Sequence, residues 1–318
     1  MKSNKVIEKI IAGINKNVKN KKWNCLYNGC SENAINSHIL QKNGILNQIA
    51  PNGFIYEIKP KDVFKWENLG FNELTYFKHI GTSQAHSFPT FCNYHDTEIF
   101  KVIETHPIDF TNYKNNLLFA FRTLASFMRR EEIILEKHKR LYNSNTIQAI
   151  PYNQGSQRIT KEFIDLHEML IHIRNKEHEL FINDIENSEE NFTFIEFNYP
   201  LKEVYSSTIL SSPNLNSIYV NVFPYNSHTK ILIFYLTKSE DKWTTEFVDG
   251  WKNLNETELE FKLTTYLLTK CENWGISETL YESIDSETEN KIIESTQSVL
   301  KKQKIMLDNS FSLDFNIF

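Results

Sequence analysis

The residues whose types and spacing point most directly to chemistry are Cys25-x4-Cys30 and Cys92-x2-His95. Thiolate and imidazole donors in two short pairs are what zinc takes when it closes a tetrahedron to serve structure. Both pairs lie in polar, turn-rich stretches, NCLYNGCSEN and TFCNYHDTE, and Gly29 permits a tight turn before the second thiolate. The competing reading makes Cys25, Cys30 and Cys92 ordinary buried thiols, which belong on apolar faces. Cys271, beside Leu267 and Leu268 on an apolar helical run, fits that description, and the other three do not. The expectation is one zinc held by Cys25, Cys30, Cys92 and His95.

Two further residues adjoin these pairs. His38 follows the first and Asp96 follows His95. A neutral imidazole near pH 7 can take a proton from water, and a carboxylate oxygen suits a hard cation. The alternative for His38 is a supporting or substitute zinc ligand.

Read together, Cys25-x4-Cys30, then Ser37-His38-Ile39, then Phe91-Cys92-x2-His95-Asp96 resembles the zinc-finger form of the HNH (ββα-metal) endonucleases, over about residues 20–105. The resemblance implies a treble-clef-like ββα-metal module with a structural zinc. It implies His38 as general base, Asp96 as anchor for a catalytic Mg²⁺ or Mn²⁺, hydrolysis of a phosphodiester, and a role in bacterial defence against phage and mobile DNA. This chain departs from the family at two points. Ser37 stands where the family has a cation ligand, and no Asn precedes Cys92 at the expected distance, where Ser83, His86 and Ser87 stand instead. Glu98 or His86 is left to complete the cation site. The departures favour a second reading, a non-catalytic zinc finger that binds nucleic acid or a partner protein.

The net charge of −5 gives no global attraction to nucleic acid, but residues 1–22 carry seven Lys against one Glu. Lys19, Lys21 and Lys22, with Trp23 beside them and Lys42 shortly after His38, form a candidate phosphate-binding patch that positions without reading bases. A solvated helix face is the plain alternative. Two other motifs fail on spacing. His167 and His172 in HEMLIH are five apart rather than the four a zinc-protease helix needs, and Arg174-x3-His178 is short for a helical ribonuclease pair. All four are expected on exposed helix surface.

The elements that must position these residues read as α+β. Ile7, Ile10, Ile11, Ile14 and Val18 repeat at helical spacing over 5–19, and GFIYEIKP (53–60) reads as a strand. Asp109 or Thr111 caps a helix running to about Tyr142. The polar loop 143–156 leads to a second helix over 157–184, whose apolar positions include Ile159, Phe163, Leu166, Leu170 and Ile173, and the two pack antiparallel. Strands follow at 192–199, 204–210, 217–224 and 229–237, with a hairpin turn at Asn226-Ser227-His228. Capping boxes at Asn255/Glu258 and Ser286/Glu289 open helices over 256–271 and 287–303. The C-terminal FSLDFNIF either tucks onto a core or stays mobile.

This divides the chain into a zinc module with a basic helix (1–106), a helical hairpin (107–185) and a sheet-plus-helices domain (190–318) with an antiparallel sheet. The last is the place for a partner or ligand. Loss of Cys92 is expected to unfold the first hundred residues and spare the C-terminal half. The first residues lack a secretion signal and no stretch nears the ~20 apolar residues of a membrane span, so the expected location is the cytoplasm.

Overall fold

Alternation along 217–236 decides the architecture. Ile218, Val220, Val222, Ile231, Ile233 and Tyr235 pack into one hydrophobic cluster, while Tyr219, Phe223, Leu232 and Phe234, at the intervening positions, pack into another. Successive strand residues point to opposite faces, so a sheet written this way must be covered on both sides. The computed structural model, which describes residues 2–60, 75–148, 154–301 and 303–318, has that arrangement.

In chain order the elements are α1 (Lys2–Lys19), β1 (Ile35–His38), β2 (Phe54–Pro60), β3 (Thr75–Gly81), β4 (Ser87–Phe91) and α2 (Asn93–Glu104). The long helix α3 (Tyr113–Tyr142), the single turn α4 (Asn145–Gln148) and the long helix α5 (Gln154–Asn187) follow. Next come β5 (Phe192–Pro200), β6 (Val204–Ser211), β7 (Ser217–Tyr225) and β8 (His228–Leu236), then α6 (Lys242–Asp249) and α7 (Glu256–Lys270). The chain closes with β9 (Trp274–Ser277), α8 (Glu278–Ser283), α9 (Ser286–Lys301) and α10 (Gln303–Leu307). The fold is mixed α+β, with β1 and β4 paired on their own and a seven-stranded antiparallel sheet in the order β3-β2-β9-β6-β7-β8-β5. Among the described residues no helix is long and apolar enough to cross a membrane.

The four strands expected over 192–237 form with ends shifted by a residue at most, and Asn226 and Ser227 both have positive φ, as a tight two-residue hairpin needs. The capping box at Asn255 and Glu258 is made in both directions. Asn112, not Asp109 or Thr111, caps α3, while Asp109 holds the N–H of Thr111 in the turn before it. Of the loop 143–156, residues 145–148 form the turn α4, and 149–153 lie outside the described residues. The C-terminal FSLDFNIF tucks in: Ile317 is buried and its N–H meets Thr264 Oγ1 at 3.2 Å.

Three expectations need correction. The division into three domains does not match the packing, because β2 and β3, from the first hundred residues, extend the same sheet as β5 to β9. One cluster joins Cys25, Phe91 and Cys92 to Phe121 on α3, Phe181 on α5 and Tyr205, Phe223 and Phe234 on the sheet. Strand pairing over such sequence distances leaves no local signal. The second correction concerns α5. It runs antiparallel to α3, with Tyr113 bound to Asp184 and His167 to Glu131. However, Ile159, Phe163 and Leu166 are exposed, and Ile164, Phe181, Ile182 and Ile185 make the buried face. Third, Arg174 and His178 are buried rather than on the surface. Arg174 binds Glu177 and the hydroxyls of Ser211 and Ser217, which ties α5 to β6 and β7. Burial pushes the His178 imidazole down to about 4.

A polar seam joins the cysteine-bearing end to the sheet. On β9, Gly275 lies under the Tyr205 ring, where a Cβ would collide. That close approach lets the Tyr205 hydroxyl donate to buried Glu57 on β2 at 2.7 Å. Glu57 also accepts the N–H of His86 at 2.9 Å and pairs with Lys59. Burial alone would raise its carboxyl, but His86, Lys59 and Tyr205 bring it below the ordinary range. Gly275→Ala is expected to cost about 1–3 kcal/mol, the usual penalty for overpacking. Urea denaturation measures it, and an unchanged midpoint would mean that the Tyr205 ring moves aside freely.

Candidate metal centre

Two short turns carry the donors. In the first, Cys25 N–H bonds Glu32 O at 2.8 Å and Cys30 N–H bonds Tyr27 O at 3.1 Å, while Gly29 adopts φ +73°, the left-handed conformation that a side chain would oppose. Leu26 N–H bonds Thr90 O at 2.9 Å and so fastens this turn to β4. In the second, Cys92 caps α2 and His95 lies in its first turn.

The donors converge. Cys25 Sγ and Cys92 Sγ stand 3.4 and 3.3 Å from His95 Nδ1, and Cys30 Sγ stands 3.9 Å from Cys92 Sγ. All four ligand atoms lie within 4.8 Å of one another. Zinc bonded at ordinary lengths sets donor–donor edges of roughly 3.5–3.8 Å, so the cluster has the size and the donor set of a zinc tetrahedron. Among the described residues it is the group of three or more His, Cys, Asp or Glu side chains that can hold a metal ion, and His38 is not in it. Burial pushes the Cys25 thiol up to about 12. Burial also acts on Cys92, but the N–H groups of His95 and Tyr94 and the neighbouring thiols outweigh it and lower that thiol. Tyr27 stacks on His95 at 4.2 Å and donates to Glu186 on α5 at 2.5 Å. Arg129 on α3 donates to the carbonyl of Asn24.

The pairing of β1 with β4 places His38 opposite Ser87 at the open end of the pair. There His38 Nε2 sits 3.2 Å from Thr82 O. Burial, with the cations Arg122 and Lys42, lowers the imidazole below its ordinary value against the pull of Thr82 O and Asp96, so the ring is neutral at pH 7. Asp96, in the first turn of α2, is raised by burial and lowered in part by Arg122 and by the Ser37 hydroxyl beside it. His38 and Asp96 are near enough for each to shift the other's titration.

Arg122, on α3, is the member of this group that the sequence motifs did not indicate. It is 2 % exposed, pairs with Glu104 Oε1 at 2.5 Å and Asp96 Oδ1 at 3.5 Å, and lies 4.0 Å over the Phe100 ring. An arginine inside the apolar run NLLFAFRTLASF was the available signal. The two residues held in reserve for the cation do not serve. His86 is fully buried against Tyr205, with its imidazole pushed down to about 4, and Glu98 is exposed on α2.

The lysines separate into two grooves. Lys19, Lys21 and Lys22 line one of about 900 Å³ together with Lys137, Asn36 and Ser87. Lys42 lines another, of about 510 Å³, with Thr82. Ser87 faces His38 across the strand pair and Thr82 touches its ring, so the grooves flank His38. Lys21 already pairs with Glu136 at 2.8 Å and covers Trp23 at 4.2 Å.

The fold and the centre together define a mixed α+β protein with a Cys₃His metal-binding site suited to zinc. Comparison with protein-family models, with curated proteins and with solved structures yields no match to this chain.

Proposed function

We propose that the chain is a metal-dependent nucleic-acid endonuclease whose centre is the unit formed by β1, β4 and α2, a ββα-metal module of the HNH kind. The observation that carries the reading is that His38, at the end of β1, lies within electrostatic reach of Asp96, which follows the donor His95 in the first turn of α2. In this reading the zinc at Cys25, Cys30, Cys92 and His95 is structural and fastens the Cys25–Cys30 turn to the start of α2, at the end of the strand pair away from His38.

His38, neutral and oriented through Thr82 O, accepts the proton of the attacking water. Asp96 and the Ser37 hydroxyl are the oxygen donors that would hold Mg²⁺ or Mn²⁺, with substrate phosphate filling the remaining positions. Such a cation, when bound, offsets the charge that develops on the phosphate. Lys19, Lys22 and Lys42 neutralise flanking phosphates from the two grooves. The helices α6 to α9 on the far face of the sheet are left for a partner or ligand that governs activity, and defence against phage is the role that the HNH resemblance implies.

A non-catalytic zinc finger is the second reading, favoured by one observation: Asp96 already faces Arg122. Incubating the zinc-loaded protein with plasmid, single-stranded DNA and RNA separates the two. Cleavage with Mg²⁺ or Mn²⁺ and none in EDTA is expected. Lys19→Glu and Lys22→Glu should weaken binding and lower the salt slope by about one each. Binding without cleavage of any substrate would leave the zinc-finger reading standing.

A further inference from the structure

We propose that Arg122 is a positioning residue of the centre: a fixed cation delivered by α3 that holds the Asp96 carboxylate beside His38 and competes for it with a divalent metal ion. The proposal rests on the reading of Asp96 as a cation anchor, and it adds a residue from outside the β1, β4 and α2 unit.

The geometry points this way for three reasons. Arg122 reaches two carboxylates of α2 from a different helix, Glu104 at 2.5 Å and Asp96 at 3.5 Å, so it fixes the register of α2 on α3. It cannot leave easily, being 2 % exposed with its guanidinium 4.0 Å over the Phe100 ring. Its Nε and Nη1 are buried without a hydrogen-bond partner, and so is Asp96 Oδ1. Buried polar atoms are nearly always satisfied, and Asp96 Oδ1, 3.5 Å from Arg122 Nη2 and without a hydrogen bond of its own, is an oxygen donor left open beside the guanidinium.

The two ion pairs are unequal. Glu104 holds the guanidinium closely and leaves Asp96 at the longer distance. Asp96 is thus held in place yet not saturated. A divalent cation approaching it meets a like charge a few ångströms away, and the balance between Glu104 and Asp96 for the guanidinium sets how strongly that repulsion acts.

Mn²⁺ binding to the zinc-loaded protein, read by calorimetry or by the electron-spin signal of free Mn²⁺, tests this without any need for activity. Arg122→Gln is expected to tighten Mn²⁺ binding about tenfold or more, because it removes the competing charge. Glu104→Gln should have the opposite sign and weaken it several-fold, since the guanidinium then turns fully to Asp96. Asp96→Asn should abolish the site. If the chain cleaves nucleic acid, Arg122→Gln should also lower kcat by about 10–100-fold with KM little changed, as expected when a catalytic group is misplaced. Arg122→Lys should restore the wild-type Mn²⁺ affinity better than it restores kcat, because lysine keeps the charge without the planar guanidinium whose Nη2 faces both carboxylates.

Glu104 is 35 % exposed, so Glu104→Gln remains informative if Arg122→Gln fails to fold. Failure of wild type to cleave any substrate would end the nuclease reading and leave the Mn²⁺ results to decide this one. Equal Mn²⁺ affinity in wild type, Arg122→Gln and Glu104→Gln would overturn the proposal, as would equal affinity in wild type and Asp96→Asn.

Discussion

Replacing His38 by alanine should reduce phosphodiester cleavage by roughly 10²–10⁴-fold, the contribution of a positioned general base, while zinc content and thermal unfolding stay near wild type. The separation follows from geometry. His38 lies outside the cluster of metal donors and its ring meets the Thr82 carbonyl at 3.2 Å, so its removal takes away one hydrogen bond and no ligand. A lost hydrogen bond of this kind costs about 1 kcal/mol, small beside a metal site. Elemental analysis and a melting curve run alongside the cleavage assay make the test. A His38→Ala protein that loses zinc would show His38 to be structural. One that stays folded and fully active would move the base elsewhere.

Cys92→Ser should do the reverse, and its damage should spread. Structural zinc in small modules is worth about 10–16 kcal/mol of apparent binding energy, against a typical total stability of about 5–15 kcal/mol. Losing a ligand therefore threatens the whole fold. The sequence alone confines the loss to the first hundred residues. The packing does not: Cys92 and Phe91 share one cluster with Phe121, Phe181, Tyr205 and Phe234, and β2 lies between β3 and β9 in the common sheet. The expected result is a single calorimetric transition for the zinc-loaded protein. In Cys92→Ser it moves down strongly, with loss of aromatic circular dichroism from tryptophans in both halves. A variant that keeps a native-like transition for the C-terminal half would show the shared core to be less cooperative than its contacts imply.

What was legible in the sequence was local. Metal donors announce themselves because few arrangements explain three cysteines and a histidine in polar turns, and those residues do converge. The strands over 192–237 could be read because both faces are buried in alternation and the turn carries Asn-Ser at positive φ. Illegible were features that depend on distant chain. The pairing of β1 with β4 and of β2 with β9 joins short segments far apart in sequence. On α5 the apolar positions Ile159, Phe163 and Leu166 are exposed, because periodicity reports amphipathicity and not which neighbour is present. Arg122 escaped for the same reason: its meaning comes from Asp96 and Glu104 on another helix.

The path of the chain between His38 and Ser87 bears on solubility. Residues 39–86 leave the β1–β4 pair, supply β2 and β3 to the large sheet, and return to the position opposite the one they left. Cutting it out at those points would spare the β1–β4 pair but take β3, and β2 with its pairing to β9, out of the large sheet. A chain without this segment would leave β9 as an exposed sheet edge, open to pairing with a second molecule.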